Sequence, residues 1–201
     1  MQPQAHHEDE LQMPETKQAA LTALWQQQWP SCPPVGHLLR SHFPDVWVRF
    51  HSLPASKRYA QDDAEYTILL ERYNTVLDEL FMGKEVYVIT PTWTTEPDVP
   101  HYQPDAAYWQ SLLTTDDPDP EFRTYCHLFA VERSWQTGCI DDLLRDVADE
   151  KTAGVMITDT QIQRIHHPYD GGADVLLTSI EERDQMRDRH ATWLSKHPSG
   201  L

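Results

Sequence analysis

The chain has 201 residues, with 16 Lys and Arg against 32 Asp and Glu and a formal net charge of −16. Hydrophobic side chains make up 39% and aromatics 10%, enough for a core, which excludes a wholly disordered chain. The acidic balance argues against direct binding of nucleic-acid phosphates and against docking on anionic membranes.

Residues 1–15 are acidic, proline-containing and poor in apolar side chains, and read as a disordered lead-in to a single domain over 16–201. Leu21, Leu24 and Trp25 recur at helical spacing, so Thr16 to Gln28 is expected to be a helix stopped by Pro30. Pro33-Pro34 opens a second short helix, with Leu38, Leu39 and Phe43 inward and Pro44 ending it. Val46 to His51 is rich in β-branched and aromatic residues and predicts a strand. The apolar series Tyr66, Leu69, Leu70, Tyr73, Val76, Leu77, Leu80, Phe81 lies on one face of a long helix. Asp62 with Glu65 forms its capping box, and Gly83 closes it.

Glu85 to Thr90 is an apolar strand ended by Pro91. Residues 91–121 change character. They form an acidic, proline-broken, insertion-like loop in which Ala106 to Leu113 alone has helical promise. Tyr125 to Val131 predicts a strand, and Ile140, Leu143, Leu144 and Val147 a helix. Gly154 to Thr158 and Gln161 to His166 predict a hairpin around Asp159-Thr160. A Gly171-Gly172 turn, a strand over Asp174 to Leu177, and a helix capped by Ser179 and Glu182 follow, with Pro198 and Gly200 ending the chain. The order predicts an α+β fold. Its sheet is expected to be mixed, partly antiparallel, of five or six strands, with helices mainly on one face.

The polar, acidic N-terminus lacks the character of a signal peptide, and apolar runs such as Val86–Ile89 are too short to span a bilayer. Cys32, Cys126 and Cys139 form no C-x-x-C pair, so reduced thiols in a cytoplasmic protein are expected.

The stretch VWVRFHSLPASKRYAQDDAEYTILLERYNTVLDELFMGKEVYVIT (46–90) resembles the core of a family of small, uncharacterised bacterial proteins grouped as a domain of unknown function. An R-F strand, an S-L-P-x-S-K-R-Y loop and a long helix carry the likeness. QRIHHPYDGGADVLLTSIEERDQMRDRHATWLS (163–195) is similar to that family's closing element, with its Y-D, D-V and W-L pairs. The resemblance implies an α+β fold and a bacterial cytosolic protein. It implies no activity and no catalytic residues.

Four constellations carry chemistry. Arg49, His51, Lys57 and Arg58, among hydroxyl-bearing residues, could hold a phosphate or carboxylate. The plainer reading pairs Lys57 and Arg58 with Asp62, Asp63 and Glu65. His166, His167, Tyr169, Asp170 and Asp174 could ligate a metal or form an acid–base pair, but adjacent strand histidines face apart and no defined ligand spacing occurs. A turn with Tyr169 packed is the plainer reading. Cys126-His127 as a nucleophile–base pair fails on the same alternation. No phosphate loop, dinucleotide fingerprint or nucleophile elbow is present, so neither cofactor nor metal is expected.

The fourth is the charge. Residues 91–152 hold thirteen acidic and four basic side chains, a net −9, more than half the excess. Asp116, Asp117, Asp119 and Glu121 cluster in the proline-broken loop, with Trp93, Tyr102, Tyr108 and Trp109 as aromatic anchors if exposed. The plainer reading is a solvated acidic face with the aromatics in the core. The leading expectation is a non-enzymatic module, such as an immunity protein or inhibitor, that binds a basic protein partner. The alternatives are an anion binder or hydrolase-like enzyme using the Arg49 cluster, and a nucleic-acid mimic that blocks a DNA-binding protein.

Overall fold

A computed structural model describes residues 13–100 and 106–195. The lead-in over 1–12, Tyr102 and the Pro198–Gly200 end lie outside the described residues. The elements run α1 (Glu15–Gln28), α2 (Gly36–His42), β1 (Trp47–His51), α3 (Asp63–Phe81), β2 (Glu85–Thr94) and β3 (Ala107–Thr115). They continue with β4 (Thr124–Ser134), α4 (Asp141–Ala148), β5 (Met156–Asp159), β6 (Ile165–Tyr169), β7 (Gly172–Leu176) and α5 (Ile180–Arg189). Seven strands form an open sheet in the order β1-β7-β6-β5-β2-β4-β3, an α+β fold. The pairs β1–β7, β7–β6, β6–β5 and β4–β3 are antiparallel.

The seventh strand comes from the stretch expected to be a loop with a short helix. Residues 107–115 form β3, in register with β4 from Ala107↔Ala130 to Thr115↔Thr124. An eight-residue helix is marginal by itself, whereas ladder pairing satisfies the backbone along the whole segment. The strand expected to stop at Thr90 also runs on to Thr94, with Pro91 buried inside it. Proline is tolerated where the ladder needs no N–H from that residue. The hairpin of β5 and β6 is real, but β6 begins at Ile165, not Gln161. The Asp159 carboxylate accepts from the backbone N–H of Gln161, Gln163 and Arg164 at 3.0, 3.1 and 3.2 Å, which curls those residues into a loop.

The chain divides into two compact units. One comprises the described residues up to Pro33 and those of Ile89–Val131. In it α1 packs on β3 through Trp25 and Trp109, ring centroids 6.0 Å apart. Trp109 Nε1 donates to Thr22 Oγ1 at 3.0 Å, and Gln18 Nε2 donates to the Tyr108 carbonyl at 3.3 Å. That last bond occupies one acceptor on the open edge of β3.

The other unit spans Pro34–Val88 and the described residues from Glu132 onward. Its core sets Leu69, Tyr73, Val76, Leu77, Leu80 and Phe81 of α3 against Val48 and Phe50 of β1, Ala173 and Val175 of β7, and Leu144 and Val147 of α4. Each such aliphatic or aromatic side chain contributes about 1.5–3 kcal/mol by leaving water. The signals at both ends of α3 hold. Asp62 accepts from Glu65 N at 2.9 Å, and Gly83 adopts φ +73° beyond Met82. Ser179 caps α5 in the same way, accepting from Glu182 N at 3.1 Å.

Candidate functional site

Strand alternation decides which side chains meet. Val48 and Phe50 of β1 face the core, so Trp47, Arg49 and His51 face the other side. Register places Asp174 of β7 opposite Arg49, and His167 of β6 opposite Asp174. Gly172 lies opposite both His51 and Tyr169. An Arg–Asp–His row therefore crosses three adjacent strands, with Tyr169, Gly172 and His51 in the next row.

Helix α2 seats on this face. Gly36 lets it approach, and it brings Arg40 Nη1 to 3.8 Å from Asp174 Oδ2. Tyr169 Oη donates to Asp174 Oδ1 at 3.1 Å. Burial, then the Asp174 charge, raises the Tyr169 pKa, so the phenol keeps its proton. His167 Nδ1 donates to the Val155 carbonyl at 2.7 Å, which leaves Nε2 as the lone-pair nitrogen. Burial lowers the His167 pKa despite that carbonyl and Asp174. His37 is lowered by burial and Arg40, against Asp174, and His51 by burial and Arg49. Each of the three imidazoles therefore favours its neutral form at pH 7.

The Arg49 guanidinium does not pair with Asp174. Its Cζ sits 5.2 Å from the Tyr169 ring centre. Trp47 Nε1, Arg49 Nε, His51 Nε2 and Asp174 Oδ2 are buried without hydrogen-bond partners among the described residues.

The two sequence clusters are thus regrouped. Arg49 and His51 of the first join His167, Tyr169 and Asp174 of the second. Lys57 and Arg58 go elsewhere: Lys57 pairs with Glu65 at 2.6 Å, and Arg58 with Asp170 and Glu150. Asp170 is spent on that ion pair. His166 faces the core, its ring edge-on to Tyr73 with centroids 5.8 Å apart. The sequence carries no signal for His37 and Arg40, because only tertiary packing brings α2 to β7.

Cys126 and His127 form no dyad. Ser111 Oγ lies 2.6 Å from His127 Nδ1 instead, while Nε2 donates to the Glu96 carbonyl at 3.2 Å and meets Thr94 Oγ1 at 3.0 Å. The cross-strand register Ser111↔His127 makes that pair, and it fastens the end of β2 to β3 across β4.

The acidic segment also divides. On α4 and just after it four of the five acids are engaged within their own unit: Asp141 accepts from Asn74, Asp146 from Lys151, Asp149 from Tyr66 and Lys151, and Glu150 from Arg58 and Tyr59, while Asp142 is exposed. In the other unit Asp116, Asp117, Asp119 and Glu121 form the turn between β3 and β4. Asp117 Oδ1 accepts from Asp119 N and Asp119 Oδ1 from Glu121 N. Arg123 pairs with Asp116 at 3.7 Å, whereas Asp117, Asp119 and Glu121 have no ion pair among the described residues. Phe122 is 65% exposed, Leu113 47% and Trp93 42%. Trp109, expected as an anchor, is 1% exposed and belongs to the core, because its indole packs on Trp25 and bonds Thr22. Tyr108 is half-buried against Phe129.

Among the described residues no group of three His, Cys, Asp or Glu could hold a metal ion, and no helix is long and apolar enough to cross a membrane. Fold and sites together define an α+β domain with an open antiparallel sheet, a polar face beneath α2 and an acidic hairpin end. A family model, described as Domain of unknown function (DUF3885), matches residues 35–198, and the chain belongs to that family. No curated protein and no solved structure matches it.

Proposed function

We propose that this protein is a non-enzymatic binding module that docks on a basic protein surface through the β3–β4 hairpin end. One observation carries the reading: Asp117, Asp119 and Glu121 lack ion pairs among the described residues and stand in the same turn as an exposed Phe122. Complementary charge steers the encounter, and an aromatic side chain that is exposed in the free protein anchors it. Leu113, at the adjoining end of β3, adds apolar contact. An immunity protein or inhibitor that neutralises a basic, nuclease-like target is the form of this function that suits the charge.

Capture from a lysate of the source organism tests it. The wild-type chain should retain a basic protein, and retention should weaken as salt rises. Asp117→Lys with Asp119→Lys and Glu121→Lys should abolish capture, and Phe122→Ala should lower it at least tenfold. An unchanged set of captured proteins in the charge-reversed chain would refute the reading.

A further inference from the structure

On the far side of the sheet from the main core, four polar atoms without a hydrogen bond among the described residues share one face. Trp47, Arg49 and His51 sit at alternate positions of the edge strand β1, and each carries a buried nitrogen without a hydrogen-bond partner among the described residues. Asp174 Oδ2, on the residue directly across from Arg49, is a buried acceptor that also lacks a hydrogen bond, its nearest charge being Arg40 Nη1 at 3.8 Å. His51 is 9% exposed and Asp174 1%, so bulk water does not solvate them freely. Buried polar groups are ordinarily satisfied, and a concentration of exceptions marks a place where something else supplies the bonds.

The arrangement is chemically selective. Arg49 makes neither hydrogen bond nor ion pair among the described residues, in a chain with 32 acids to 16 basic residues. Its guanidinium is held against the Tyr169 ring, which orients the donor plane. Arg40 reaches the same face from α2. These donors suit an oxyanion. Asp174, an acceptor when ionised, repels a bare anion but takes a hydroxyl proton. Residues two apart on a strand are about 6.7 Å apart, so the row from Trp47 to His51 spans about 13 Å. That is wider than one phosphate group.

We propose that this face binds a small phosphorylated, hydroxyl-bearing molecule of the sugar-phosphate or nucleotide class. Its phosphoryl oxygens accept from Trp47 Nε1, Arg49 and Arg40, and a hydroxyl donates to Asp174 Oδ2. The site lies wholly in the unit that contains β1, β6, β7 and α2, and does not depend on the acidic hairpin. His51 supplies a further donor or acceptor at the end of the row.

The test is titration of the full chain with ribose 5-phosphate, glucose 6-phosphate and AMP, with inorganic phosphate and ribose alongside. It is read by calorimetry and by the indole ¹⁵N–¹H resonances. At least one of the three phosphorylated compounds should bind and shift the resonance that Trp47→Phe removes. Inorganic phosphate should bind at least tenfold more weakly, and ribose not measurably. Arg49→Met, which keeps the stem on Tyr169, should lose at least tenfold in affinity with an unchanged urea midpoint. Arg58→Met should bind as the wild type does. Asp174→Asn should narrow the gap between the phosphorylated compound and inorganic phosphate. No shift with any of the three, or full affinity in Arg49→Met, would overturn the proposal. Inorganic phosphate binding as tightly as the best of the three would overturn the role given to Asp174.

Discussion

Gly36 of α2 stands so close to His167 of β6 that a Cβ on it would lie 2.6 Å from the imidazole. No real side chain tolerates that distance, so a methyl group here must push the helix or the ring away. Alanine is the better helix former by about 1 kcal/mol, but overpacking a tight contact costs about 1–3 kcal/mol. Gly36→Ala should therefore destabilise the protein, visible as a lower urea midpoint. A raised midpoint would show that α2 does not seat on His167.

His166 gives the protein a pH dependence of known sign. Its ring is fully buried, both nitrogens lack hydrogen-bond partners among the described residues, and burial, with His167 beside it, lowers its pKa from 6.5 to about 3. The folded state favours the neutral ring, so this group's contribution is complete above pH 6.5. It declines toward pH 3 as the unfolded chain takes up the proton, at up to about 1.4 kcal/mol per pH unit. His166→Phe keeps an aromatic ring against Tyr73 and removes the titration. Urea unfolding between pH 4 and 7 should show a flatter decline in the variant than in the wild type. Parallel curves would rule the imidazole out as the cause.

Asp62 begins α3 by accepting from Glu65 N at 2.9 Å, while the Glu65 carboxylate accepts from Gln61 N at 2.8 Å. Asp62→Ala leaves the first turn without its cap and should cost about 1 kcal/mol. Hydrogen exchange should quicken in the first turn of α3 and stay unchanged near Leu77. Exchange that rises evenly along the helix would point to another cause.

The cysteines should differ in reactivity. Burial pushes the thiols of Cys32 and Cys126 up to about 11, whereas Cys139 is only half-buried. Thiolate is the reactive form, so brief alkylation at pH 8 should label Cys139 first. Unfolding in urea should expose all three. Mass spectrometry that finds native Cys126 labelled as fast as Cys139 would contradict this burial.

Local chemistry made much of the fold legible. The 3-and-4 spacing of α3, with Asp62 before it and Gly83 after, is a signal confined to about twenty neighbouring residues. The caps of α3 and α5 form as their residue types predict. Strand alternation likewise separates His166 from His167, one to the core and one to the polar face. β3 was not legible, because its ladder needs β4, and Ala107 pairs with a residue over twenty positions away. Pro91 misled for the same reason: whether a missing N–H matters depends on the neighbouring strand.

The candidate sites followed the same division. Sequence supplied the residue types: arginine, histidine and aspartate in two motifs, and a run of acids in the proline-broken segment. Only the tertiary structure sorted them. It paired Lys57 and Arg58 with acids, buried Trp109, and exposed Phe122. It also set Arg49, Asp174 and His167 in one row, with Arg40 brought down from α2. Sequence determines propensity, charge and alternation because these act over a few residues. Which polar atom finds a partner is settled by strand register and helix seating, since hydrogen bonds demand contact between groups far apart in the chain.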